Sequence, residues 1–116
     1  YGPEPEHGWC YYFQKAELAR QFGDWDEVVK LGNQAFKLDD FPNNPVERFV
    51  FIEGYAHAGK WERALELSNV SYKVSKEYVG PLLCQLWKRI ETETVDSVER
   101  NAALDTIQKI LACPTP

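Results

Sequence analysis

Methionine is absent from this sequence, histidine occurs twice and cysteine three times. A chain that opens at Tyr1 without any Met reads as a processed product or as a domain of a larger protein. Long apolar runs are also missing. The longest strongly apolar one, Phe49 to Ile52, is ended by Glu53. A helix that crosses a bilayer takes about 20 such residues, so no span is expected, and no segment has the layout of a signal peptide. There is no cluster of Lys and Arg, and the net charge is −5. A surface that tracks phosphates needs such a cluster, so no nucleic-acid partner is expected. Neither a Gly-rich phosphate loop nor a Ser nucleophile elbow is found.

The scarcity of Cys and His limits chemistry further. An odd number of cysteines leaves at least one unpaired, so no disulfide framework can be read. A Cys84–Cys113 bridge between the last two helices and a set of free thiols both stay open, and with them the compartment. His7 and Cys10 are three apart, but His57, Cys84 and Cys113 occur singly. Structural zinc normally shows paired spacing twice. No metal and no cofactor is therefore expected. Cys10 or Cys84 with His57 is the one Cys–His combination, and no local signature supports it. Asp39-Asp40 reads as a helix-end loop rather than a calcium site.

What is present is a globular composition, 44% apolar and 27% charged, rich in aromatics with four Trp, six Tyr and six Phe. The length suits one domain with its own core. Two stretches align without gaps at an offset of 36 residues. Phe13 meets Phe49, Glu17 meets Glu53, Gly23 meets Gly59, Trp25 meets Trp61, Leu31 meets Leu67 and Phe36 meets Tyr72. Each stretch reads as two helices joined at a glycine.

In the first stretch Trp9, Tyr12, Phe13, Ala16, Ala19 and Phe22 follow helical spacing. Gly23 ends that helix, and Asp24 with Glu27 three residues on resembles a capping box. Trp25, Val28, Leu31, Gly32, Ala35, Phe36 and Leu38 form the next stripe. Gly32 would weaken an ordinary helix by about 1 kcal/mol, which points to a close neighbouring helix. Pro45 is placed to open the second hairpin. Its stripes are Val46, Phe49, Val50, Tyr55 and Ala56, then Trp61, Ala64, Leu65, Leu67, Ser68, Tyr72 and Val74. Gly80-Pro81 is expected to restart the chain as a helix carrying Leu82, Leu83, Leu86, Trp87 and Ile90. A last helix follows Thr94 and runs to about Ala112, with Val95, Val98, Ala102, Ile107 and Leu111 on its face. Trp9, Trp25, Trp61 and Trp87 are expected in packing roles.

Gly23-Asp24-Trp25-Asp26-Glu27, then Ala35, Asp39 and Pro42, resembles the second half of a tetratricopeptide repeat, and so does Gly59-Lys60-Trp61-Glu62-Arg63-Ala64-Leu65, with Tyr55 at the family's aromatic position. The period is 36 rather than about 34, and Val28 and Ile52 stand where the family has small residues. The lead-in His7-Gly8-Trp9-Cys10-Tyr11-Tyr12 is similar to C-terminal soluble domains of some bacterial multi-spanning membrane proteins, which implies a soluble domain on either side of a membrane. The resemblance implies an all-α fold: a TPR-like right-handed stack of three antiparallel helical hairpins, about six helices. Repeats would cover about 9–44 and 45–78, with an atypical capping hairpin at 79–112, a linker at 1–8 and a tail at 113–116.

The same resemblance implies an interaction module rather than an enzyme, with a ligand in the groove lined by the first helix of each hairpin. The family's ligand-facing positions fall on Phe13, Glu17, Arg20, Gln21, Phe49, Glu53, Ala56 and His57. Gln85 and Arg89 join them if the third hairpin keeps the offset. Glu17 and Glu53 would favour a basic or amphipathic peptide, and have the wrong sign for the subfamily that grips acidic tails. Phe13 and Phe49 read equally well as core, and the two glutamates as solvated charges. Their closeness in stacked helices is the best acid–base arrangement the sequence offers. The alternative to a peptide-binding module is a structural or oligomerising domain of a larger, membrane-anchored protein.

Overall fold

The structure, a computed structural model, describes residues 8–38, 42 and 44–113. The expected linker ahead of Gly8, His7, the Asp39-Asp40 pair and the tail beyond Cys113 lie outside the described residues. The fold is all-α: six helices and no strand among the described residues. They are α1 (Trp9–Gln21), α2 (Trp25–Ala35), α3 (Phe49–His57), α4 (Trp61–Val74), α5 (Lys76–Glu93) and α6 (Val98–Leu111), with a single 3-10 turn at Pro45–Arg48 leading into α3.

The two glycine turns follow from backbone chemistry. Gly23 and Gly59 sit at φ +69 and +78, a region that disfavours any side chain. Behind Gly23, Asp24 accepts the Glu27 amide at 3.2 Å and caps α2. Each turn reverses the chain, so α1 packs on α2 and α3 on α4, while α3 also packs on α1, α2 and α5. That makes α3 the central helix. Every residue from Val50 to Ala56 is buried.

Two small residues make this possible. A Cβ at Gly54 would run into the Val28 side chain, and one at Gly32 would stand 2.9 Å from the Phe51 ring. The bulk of Val28 is thus matched by a glycine on the facing helix. Above this contact Trp9, Phe36 and Phe51 form a triangle of edge-to-face rings with centroids 5.3–5.4 Å apart. Trp9 and Trp87 are core, as expected, and their indole N–H groups donate to Glu47 Oε1 at 2.7 Å and Ser68 Oγ at 2.9 Å. Tyr55 donates its hydroxyl to Asn33 Oδ1 at 2.6 Å, and burial raises its pKa.

Several local expectations are corrected. The third inner helix does not restart at Gly80-Pro81. It begins at Lys76, because the extended Ser75 alone breaks α4 from α5. The first turn is closed by Val79 N–H to Ser75 O at 2.8 Å before the proline is reached. Pro81 then removes one bond, to the exposed Glu77, where water can serve the carbonyl. Gly80 lies against Tyr72. Phe22 leaves the apolar stripe of α1 and is 80% exposed, since it caps the helix just before the glycine reversal. Val74 is likewise exposed at the end of α4. The last helix starts only at Val98, capped by Ser97, and turns Ala103, Ile107 and Leu111 inward. Val95, Val98 and Ala102 face solvent.

Cys84 and Cys113 are bridged, with Cα atoms 5.7 Å apart and a separation of 29 positions along the chain; Cys10 is a free, exposed thiol. The bridge staples the end of α6 to α5. Closing a loop of this size is expected to stabilise the fold by about 3–4 kcal/mol through the unfolded chain's entropy. Reduction, or Cys113→Ser, should lower the urea midpoint accordingly, and thiol titration of the oxidised protein should find Cys10 alone.

Candidate functional site: a three-helix polar face

The offset of 36 places α1, α3 and α5 side by side with one residue pattern. Phe13, Glu17 and Gln21 on α1 correspond to Phe49, Glu53 and His57 on α3, and to Gln85, Arg89 and Glu93 on α5. Contacts confirm the register of the third helix. Glu53 bonds Arg89 and His57 bonds Glu93, each pair 36 residues apart.

Glu53 is the centre. It is 1% exposed, although it carries a carboxylate into an otherwise apolar helix. Its Oε1 accepts Arg20 Nε–H from α1 at 2.8 Å and Arg89 Nη2–H from α5 at 2.8 Å, and its Oε2 accepts Arg89 Nε–H at 3.3 Å. A buried carboxylate requires such partners. The guanidinium groups stay in touch with water, their side chains 33% and 45% exposed. The Arg20 pKa is raised, first by the hydrogen bond to Glu53; burial opposes it, and the charges of Glu53, Glu17 and Glu93 add to it.

Beside this bridge, His57 Nε2 lies 3.2 Å from Glu93 Oε2, and the His57 ring stacks on Trp25 at 4.0 Å with planes 6° apart. Trp25 is therefore more than packing under a turn: it ties the α1–α2 reversal to α3. Phe13 and Phe49 are half-buried against the core and keep part of each ring on the same face. Glu17 is half-buried nearby; Gln21 and Gln85 are exposed at its borders, and Ala56 is buried beneath it.

Arg20, Glu53 and Arg89 are thus brought into direct contact, and His57 lies beside them, paired with Glu93 and Trp25. Trp25 and Glu93 were absent from the expected set. The same offset that placed Arg89 also placed Glu93 opposite His57, so its signal was in the sequence. Glu53 does not present a free charge to a ligand, because two arginines occupy its oxygens. Arg20 also stands between Glu17 and Glu53, in place of a bare pair of carboxylates. Glu53, His57 and Glu93 have ligand atoms within 4.8 Å of one another, yet the two guanidinium groups on Glu53 repel a cation, and the donors are already engaged.

Comparison of the chain with protein-family models, curated proteins and solved structures finds no match.

Removing the central acceptor should be the most disruptive single change on this face. Glu53→Ala is expected to destabilise by about 2–3 kcal/mol, because three charge-assisted bonds from two arginines to a buried site are lost together. Arg89→Ala, at a half-exposed position, should lose about 1 kcal/mol or less. Urea unfolding of both variants checks the order.

Proposed function

We propose that this chain is a helical-hairpin interaction module of tetratricopeptide type that binds a protein or peptide segment across the face of α1, α3 and α5, and that it is not an enzyme. The observation that carries the reading is the set of polar contacts that joins the three helices: Glu53 on α3 holds Arg20 of α1 and Arg89 of α5, with the half-buried Phe13 and Phe49 on the same α1 and α3 helices. Such a surface offers rigid aromatic contact area beside preorganised donors.

The pairing changes the partner's chemistry. Charges on this face largely cancel, so an amphipathic segment fits it better than a strongly basic one, its apolar side chains on the two phenylalanines and its polar groups on the exposed guanidinium edges. The Cys84–Cys113 bridge favours an oxidising compartment. No helix among the described residues is long and apolar enough to cross a membrane.

The test is a peptide library displayed on phage and selected on the folded, oxidised chain. Phe13→Ala with Phe49→Ala should weaken the selected peptides by about tenfold or more, roughly 1.4 kcal/mol, with the circular-dichroism helix signal retained. Undiminished affinity would remove this face as the binding surface.

A second reading, self-association as a structural domain, is favoured by Leu18 and Phe22. They stand one turn apart on the outer side of α1, 56% and 80% exposed. Equilibrium sedimentation at micromolar concentration discriminates. The interaction-module reading expects a monomer, and a dimer dispersed by Leu18→Glu would favour the second.

A further inference from the structure

A cleft lies away from the three-helix face, between α4 and α6, with a volume of about 640 Å³. On the α6 side it is lined by small residues, Ala102 and Thr106 exposed and Ala103 buried. Ala102, Ala103 and Thr106 leave unfilled the space over Trp61 and Leu65, which stay half-buried. The floor is thus apolar and preformed.

Its rim is acidic. Glu62 and Glu66 stand on α4 and Glu99 on α6. Of these, Glu66 is engaged by Arg63 at 2.8 Å, whose guanidinium lies over the Phe36 ring at 4.9 Å and so on the side of α2. Glu62 and Glu99 have no ion pair among the described residues. Lys60 at the mouth is the one cation besides Arg63 on the lining.

We propose that this cleft is a second docking surface, for a lysine-bearing amphipathic helix of a protein partner. Apolar residues of that helix and the methylene stems of its lysines lie on Trp61, Leu65 and Ala102. The ammonium groups reach out to Glu62 and Glu99, as long cationic side chains do when they cover apolar surface and keep their charge in water. The volume suits the entry of one or two large side chains. The opposite charges favour encounter with a basic partner over an acidic one, in a chain whose own net charge is −5. This surface shares no residue with the α1, α3 and α5 face, so the two fail or stand separately.

The experiment titrates the isotopically labelled, oxidised chain with a designed helical peptide of Leu and Lys, and with a counterpart of Leu and Glu, followed by amide chemical shifts. The Leu/Lys peptide should give saturable shifts centred on Trp61, Leu65, Ala102 and Thr106. The Leu/Glu peptide should bind at least about tenfold more weakly. Glu62→Lys with Glu99→Lys should weaken the Leu/Lys peptide by about tenfold or more. Ala102→Phe, at an exposed position, should fill the cleft and abolish the shifts without altering helix content. Equal binding of both peptides, shifts confined to the Phe13 and Phe49 face, an affinity unmoved by the charge reversal, or no saturation by about 1 mM would each overturn the proposal.

Discussion

One buried carboxylate sets the arrangement of the three helices that form the polar face. Glu53 sits in a largely apolar helix, and it is tolerated because Arg20 of α1 and Arg89 of α5 both bind it. Removed from water without them, an ionised carboxylate would carry a penalty of several kcal/mol. A sliding of α1 or α5 along α3 by one residue would break that coordination while leaving much of the nonspecific apolar contact in place. The ion bridge therefore acts chiefly as a register device. Hydrophobic burial holds the helices together without direction, and the charged hydrogen bonds select which alignment of the three is occupied.

The same central helix explains the steric economy of the core. A helix buried on all faces needs neighbours that approach closely, and the contacts of Gly54 with Val28 and of Gly32 with Phe51 and Tyr55 supply it. The two glycines lie on facing helices and exchange bulk: each leaves room for a large residue of the other. A glycine in mid-helix weakens that helix by about 1 kcal/mol, and here the loss is offset by burial of the ring and the branched side chain that occupy the vacated space. The aromatic triangle of Trp9, Phe36 and Phe51 continues this contact between the first two hairpins.

Much of this architecture was legible because it is encoded locally or by repetition. Gly23 and Gly59 mark reversals through backbone freedom that other residues lack, and Asp24 with Glu27 marks a helix start through a side-chain bond three residues away. The offset of 36 carried the pattern into α5 even though the third hairpin has no Gly-x-Trp signature. Less legible were features that depend on which surface a neighbour covers. Gly80-Pro81 has the composition of a boundary, but the break lies at Ser75, whose extended backbone leaves no mark in spacing. Ile107 and Leu111 turn inward as the spacing implied, but Val95, Val98 and Ala102 do not, and Ala103 completes the buried face of α6. Periodicity identifies a helix and leaves its rotation undecided where several apolar stripes compete. Glu53 is the sharpest case: its sequence environment marks it as half of a glutamate pair, and only the third dimension shows that arginines from two other helices have claimed it.

That difference redistributes the molecule's electrostatics. On the three-helix face Glu53 is paired with Arg20 and Arg89, and His57 with Glu93, at short range. Carboxylates without an intramolecular partner remain on the α4–α6 side, at Glu62 and Glu99, over a floor left open by alanines. A small domain that neutralises its central charges internally and leaves acidic groups around an unfilled apolar cleft separates two tasks in space. The paired charges maintain the stacking of the hairpins, and the unpaired ones remain available for a cationic partner. Because the two sets lie on different helices, occupation of the cleft need not disturb the ion bridge that holds α1, α3 and α5 in register.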